Sequence, residues 1–251
     1  MDLFDQLESE STGSAEMLYA GQYPMRPHAS GRGHVITVPD GELYYAPHFF
    51  EQKISDRAMQ LLLANDQFNA QSTNWHEVEN FAQIHWQNIQ WQHDEIQMYG
   101  KTMLLPRISA WYGDSDRPYT YSGIRLQPKP WNSMLTWIRT ELANISGHDF
   151  NSVLLNWYRS GEDHISWHTD AEPELGKNPV IASVNFGASR RFLLRRADNP
   201  QCKIEMPLHH GSLLIMSGAL QHHWQHSVPK QAKVKDSRIN MTFRQILKGE
   251  A

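Results

Sequence analysis

A chain of 251 residues can bury a substantial core, and at this length a strand-rich protein is often a single domain. Hydrophobic residues at 40% and charged residues at 20% argue against disorder, and no apolar run approaches the roughly 20 residues a membrane-spanning helix needs. The net charge of −4 gives no global attraction for nucleic acid, so binding of that kind would need local basic patches.

In chain order, residues 1–5 carry two acids where a secretory leader would carry bases, and the single Cys202 cannot form an intrachain disulfide. The expectation is a soluble monomer in a reducing compartment, cytoplasmic or, in a eukaryote, nuclear, with no membrane partner. Residues 1–40 mix Ser, Gly, Glu, Pro and Arg without periodicity and read as a flexible tail, with the catalytic domain expected over 41–251. Residues 51–65 place Ile54, Ala58, Leu61 and Leu62 on one helical stripe, and Leu135, Ile138, Leu142 and Ile145 repeat the pattern after Pro130. These two amphipathic helices should flank a larger body.

From Ser152 the period changes to two, with runs at 152–158, 164–169, 179–186, 191–196, 203–208, 211–216 and 238–245. Turn residues such as Gly161, Asn178-Pro179 and Asp198-Asn199-Pro200 separate them. Many short strands at this spacing predict a mostly-β (α+β) protein, a sandwich or jelly roll. Two basic clusters, Arg190, Arg191, Arg195 and Arg196, then Lys230, Lys233, Lys235 and Arg238, read from composition as solvated strand edges and loops.

His168 and Asp170 are two apart at the end of a strand-like run, so both side chains can reach one ion. A lone His-X-Asp is weak evidence. A third ligand is available further along, but spacing does not choose among His209, His210, His222, His223 and His226. Two histidines and a carboxylate with open positions suit an Fe(II) oxygenase, and zinc hydrolases use the same set, so the triad leaves the metal open.

The last strand adds a second constraint. Arg238, Asn240, Thr242 and Arg244 alternate with Ile239, Met241 and Phe243, giving one polar and one apolar face. Two arginines in a buried polar wall are costly unless paired, and each can grip a carboxylate bidentately. A dicarboxylate beside the metal would satisfy them, and Asn156 and Tyr158, opposite Leu155 and Trp157, offer it an amide and a phenol. Internal salt bridges within a polar network would account for the same pattern.

Taken together, Asn156-Trp-Tyr158, Asp163-His-Ile-Ser-Trp-His-Thr-Asp170, Ile181-Ala-Ser-Val-Asn-Phe-Gly187, His210-Gly-Ser-Leu-Leu-Ile-Met216, His223-Trp-Gln-His-Ser-Val-Pro229 and Arg238-Ile-Asn-Met-Thr-Phe-Arg244 resemble the AlkB family of Fe(II)- and 2-oxoglutarate-dependent nucleic-acid demethylases. The resemblance covers roughly residues 98–247 and is nearest the DNA-repair branch. It implies a double-stranded β-helix with flanking N-terminal helices, and Fe(II), 2-oxoglutarate and O2 as cofactors. It places His168, Asp170 and His226 at the iron-ligand positions. Arg238 and Tyr158 match the grip on the distal carboxylate of 2-oxoglutarate. Arg244 and Asn156 match the group near its metal-chelating end, with Asn240 on the same polar face.

The same resemblance puts Tyr119 and Tyr121 in the base pocket, Tyr121 stacking on a flipped base, and Glu172 against the base's exocyclic amino group. Base–aromatic stacking is worth roughly 1–3 kcal/mol, comparable with the cost of extruding a damaged base. Met98 and Tyr99 match a segment that carries an apolar wedge into duplex DNA. The implied reaction is direct-reversal repair of 1-methyladenine and 3-methylcytosine in alkylated DNA, releasing formaldehyde, succinate and CO2. Two alternatives are the same oxygenase acting on RNA, a protein or a small molecule, and a catalytically silent jelly-roll binding module.

Overall fold

The alternating runs of the second half of the chain pair as strands. The computed structural model describes residues 17–18, 23–98, 101–115, 119–121, 124–126 and 128–247. Its first half carries β1 (Met17–Leu18), β2 (Tyr23–Pro27), β3 (His34–Val38), β4 (Gly41–Ala46), helix α1 (Gln52–Leu62), β5 (Glu95–Met98), β6 (Lys101–Leu104), β7 (Ile108–Gly113), β8 (Tyr119–Tyr121) and β9 (Ile124–Leu126). Helix α2 (Ser133–Ser146) leads into β10 (Ser152–Tyr158), β11 (Ile165–His168), β12 (Ile181–Gly187), β13 (Arg190–Arg196), β14 (Lys203–Leu208) and β15 (Leu213–Gly218). One helical turn, α3 (Leu220–His223), runs straight into β16 (Trp224–Val228), and β17 (Arg238–Arg244) follows.

A nine-stranded antiparallel sheet has the order β1-β2-β3-β4-β15-β12-β17-β10-β7, and a four-stranded sheet, β11-β16-β13-β14, faces it. This is the mostly-β jelly roll that the strand pattern predicts. Its central strands β10 and β17 are buried on both faces. Val153, Leu155 and Trp157 join Ile239, Met241 and Phe243 in a core that also takes Leu62 of α1 and Leu135, Ile138 and Leu142 of α2. Leu154 and Tyr158 face the other way, into the space between the sheets, with Phe192, Leu194 and Met216. The alternation of β10 and β17 thus sends their polar residues into the middle of the sandwich.

Both helices form where the stripes predict them. Asn132 caps α2, its side chain accepting from the Leu135 N–H at 2.9 Å, and Gly147 ends the helix at φ 69°, a left-handed conformation that costs glycine little. On α1 the buried residues are Ser55, Ala58 and Leu62, while Ile54, expected on the stripe, is 39% exposed.

Residues 23–38, assigned by the sequence to a flexible tail, are instead two strands of the large sheet. Met25 pairs with Ile36 and Ile36 with Leu43, and Tyr23, Met25, Ile36 and Val38 are buried over the second core. Each strand has only five residues, a turn through Gly31 and Gly33, both at positive φ, separates them, and β3 buries both Val35 and Ile36, so no period registers. Residues 1–16 and 19–22 of that expected tail lie outside the described residues.

One arginine of each basic cluster differs from the solvated reading, while Arg191, Lys230, Lys233 and Lys235 are exposed as expected. Arg190 is 1% exposed and donates to the carbonyl oxygens of Ser160, Asp163 and Pro229, tying two loops together. Arg238 is equally buried.

Candidate active site

His168 and His226 face each other across the small sheet. They are register partners on β11 and β16, with ring centroids 4.2 Å apart. Strand β11 ends at His168, so Asp170 lies in the turn beyond it, 2% exposed, with Oδ2 3.7 Å from His226 Nε2. Ligand atoms of the three side chains all lie within 4.8 Å of one another, the one such group of His, Cys, Asp or Glu among the described residues. Of the five histidines that spacing leaves open, His226 is the one that joins them. His210 meets Asp56, His222 meets the Lys177 carbonyl, and His223 lies near Asp40.

The protonation pattern suits a cation. His168 Nδ1 is 2.8 Å from the Ser166 carbonyl oxygen and donates to it, which leaves Nε2 as the nitrogen available to a metal. Burial, reinforced by the nearby His168, pushes the His226 pKa down from 6.5 to about 3, so its imidazole is neutral at pH 7. Burial alone would raise the Asp170 carboxyl. The Arg244 guanidinium, 2.6 Å from Oδ1, outweighs it with help from the two histidines and holds the pKa at about 2. The Asp170 N–H donates to Gln221 Oε1 at 2.8 Å.

A cavity between the sheets is lined by these ligand candidates together with Asn156, Tyr158, Arg238 and Asn240. Arg238 enters from the start of β17, its guanidinium 5.0 Å from the centre of the Tyr158 ring. Nη2 donates to Asn185 Oδ1 at 2.5 Å, while Nε and Nη1 are buried without a hydrogen-bond partner. Burial lowers the Arg238 pKa to about 10, still far above neutrality. Orphaned donors on a buried cation are costly, and a ligand carboxylate would satisfy both. Asn240 has both ends of its amide engaged, by Ser183, Asn185 and Thr242.

Sequence reasoning grouped Asn156 with Arg244, whereas the structure pairs each with another residue. Arg244 holds Asp170, and Asn156 Oδ1 accepts from Nε of Arg107 at 2.8 Å. Arg107, 4% exposed, went unnoticed because it precedes β7, a strand whose six residues are all buried and carry no alternation. The residues expected on the substrate are less fully placed. Tyr119 and Tyr121 lie on β8 and Met98 ends β5, but their side chains, like all of Tyr99, lie outside the described residues. Glu172 is half-buried just past Asp170, with Oε2 buried and unpartnered.

The chain matches the 2OG-Fe(II) oxygenase superfamily over residues 42–244. It belongs to that superfamily. Membership implies Fe(II), 2-oxoglutarate and O2, and the His-Asp-His group is where the described residues could hold the metal. It is 45% identical over 154 residues to the alpha-ketoglutarate-dependent dioxygenase alkB homolog 3 of Bos taurus, covering 58% of this chain and 53% of that one. It is likewise 45% identical over 159 residues to the human DNA oxidative demethylase ALKBH2, covering 61% of each chain. The oxygenase therefore aligns with between half and two thirds of these relatives' lengths. A solved structure of OsALKBH1 superposes with a TM-score of 0.50 over 83% of this chain and 99% of that one, at 16% identity, a likeness of fold alone. No helix among the described residues is long and apolar enough to cross a membrane.

Proposed function

We propose that this oxygenase removes N-methyl groups from nucleobases, 1-methyladenine and 3-methylcytosine in DNA, with Fe(II) held by His168, Asp170 and His226. The observation that carries the reading is the meeting, in one cavity, of that donor set with a buried guanidinium whose Nε and Nη1 lack partners. Two imidazoles and one carboxylate fit Fe(II), and the guanidinium fits the distal carboxylate of 2-oxoglutarate. When bound together, Fe(II), 2-oxoglutarate and O2 supply oxidative decarboxylation coupled to hydroxylation of the methyl carbon, which leaves as formaldehyde alongside succinate and CO2.

The protein's own contribution is positional and electrostatic. His168 is held in one tautomer by the Ser166 carbonyl, and Asp170 is kept ionised and oriented by Arg244. Arg238 and Tyr158 set the depth at which the cosubstrate binds, with Asn156, Asn240 and Arg244 along its length. The partnerless Glu172 oxygen accepts from the amino group of cytosine or adenine, Tyr119 and Tyr121 stack on the base, and Met98 and Tyr99 open the helix. The names of the matched relatives, one of them a DNA oxidative demethylase, support nucleic acid over protein or small-molecule substrates. With alkylated DNA as partner, the proposed location is intracellular, or in a eukaryote nuclear, and the proposed state is a monomer.

Formaldehyde release from 3-methylcytosine in single-stranded DNA, duplex DNA and RNA tests the reading. Turnover on a DNA oligonucleotide is the expected result. Succinate formation that no methylated oligonucleotide stimulates would remove nucleic acid as the substrate.

A further inference from the structure

The charge balance around Arg238 is unusual for a residue with 1% exposure. A buried guanidinium is ordinarily matched by a carboxylate, because an uncompensated charge in the interior costs several kcal/mol. Here the side chains it hydrogen-bonds are an amide and a phenol, Asn185 Oδ1 on the neighbouring strand β12 at 2.5 Å and Tyr158, and neither is a carboxylate. The second nearby cation deepens the imbalance. Arg190 lies 5.7 Å from the same Tyr158 ring, and its donors go to the carbonyl oxygens of Ser160, Asp163 and Pro229 and to Gln231. No carboxylate among the described residues hydrogen-bonds to either guanidinium.

The amide orientation of Asn185 is fixed by its surroundings. Nδ2 donates to the Ser183 carbonyl at 3.2 Å, while Oδ1 accepts from Arg238 Nη2 at 2.5 Å and from Asn240 Nδ2 at 3.2 Å. Reversing the amide would set donor against donor at Arg238 and acceptor against acceptor at Ser183. Asn185 is itself 1% exposed, so nothing from solvent competes for that oxygen.

Resting on the reading of Arg238 as the distal-carboxylate grip, we infer that Asn185 is a positioning residue that aims Arg238 with a neutral acceptor and so reserves its charge for the ligand. An aspartate has almost the same shape and would deliver the same oxygen. It would also neutralise the guanidinium internally, and the ligand would meet a closed ion pair. The choice of amide over acid at position 185 is then a determinant of selectivity for dicarboxylates.

The test uses the full chain loaded with Mn(II), titrated with 2-oxoglutarate and with pyruvate, which has the same 2-oxo acid end and no distal carboxylate. The wild type should prefer 2-oxoglutarate by about 100-fold, the scale of a buried charge pair. In Asn185→Asp that ratio should collapse towards one through loss of 2-oxoglutarate affinity alone, with pyruvate binding unchanged and the melting temperature of the metal-free protein raised. Asn185→Ala, which removes the acceptor and adds no charge, should weaken 2-oxoglutarate binding about tenfold and so keep a preference of about tenfold. An Asn185→Asp protein that retains the wild-type ratio overturns the inference, as does equal weakening of both acids with a lowered melting temperature. A wild type that fails to distinguish the two acids overturns the reading of Arg238 itself, and the inference with it.

Discussion

Arg244 Nη2 lies 2.6 Å from Asp170 Oδ1, and the two side chains are 6% and 2% exposed. The guanidinium thus grips the carboxylate that faces the two histidines, and it occupies one oxygen while leaving Oδ2 towards His226. Removing one partner of a buried pair leaves the other charge uncompensated, so Arg244→Ala should cost on the order of 3–5 kcal/mol of stability. Urea denaturation of the metal-free protein measures this, and a loss below about 1 kcal/mol would show that water takes over the guanidinium's role.

His226 gives the metal-free protein a pH dependence with a definite sign. Its pKa falls from 6.5 to about 3 on folding, chiefly through burial, so between those values the unfolded chain binds the extra proton. Stability from this residue is complete above pH 6.5 and is lost as pH falls towards 3. Comparing urea midpoints at pH 7.5 and 5 for the wild type and His226→Gln isolates the effect. The wild type should lose more on acidification, and parallel shifts would count against a neutral, buried imidazole.

Gln221 connects the two ligand-bearing elements. It projects from α3, immediately before the strand of His226, and its Oε1 accepts the Asp170 N–H at 2.8 Å, with 2% of the residue exposed. Gln221→Leu should strand a buried donor, costing about 1–3 kcal/mol, and weaken Mn(II) binding about tenfold as Asp170 loses its fixed orientation. Gln221→Glu keeps the acceptor and should restore much of the affinity. Equal metal binding in all three proteins would confine Gln221 to a packing role.

How far the site was legible follows from the kind of signal each residue leaves. The alternation of Arg238 to Arg244 and of Asn156 with Tyr158 gave their shared orientation correctly, because period-two patterning survives in strands buried on both faces when one face is polar. Strand β16 left no such trace, since it starts without a turn from α3, and so the ligand position of His226 came from resemblance. Arg107, Gln221 and Asn185 act through contacts with residues 49, 51 and 53 positions away, which no local pattern encodes. The N-terminal strands β2 and β3 were missed for a different reason, each having only five residues, with β2 alternating briefly and β3 burying both Val35 and Ile36.

Arg238→Ala should abolish 2-oxoglutarate turnover and leave the fold intact, because the side chain's orphaned donors contribute little to stability in the absence of a ligand. Succinate production measures the first and circular dichroism the second. Succinate formed at the wild-type rate would remove Arg238 from the cosubstrate site.

Glu172 carries a sharper prediction about which lesions are accepted. Its Oε2 is buried without a partner two residues beyond Asp170, so the loop already bears the desolvation cost of that oxygen in the free protein. A base that donates an exocyclic N–H recovers the interaction, whereas one presenting a carbonyl there would set acceptor against acceptor. 3-Methylcytosine is of the first kind and 3-methylthymine of the second. Glu172→Ala should therefore slow formaldehyde release from 3-methylcytosine about tenfold while leaving 3-methylthymine unchanged or improved. A uniform loss on both bases would mean that Glu172 shapes the loop without reading the base.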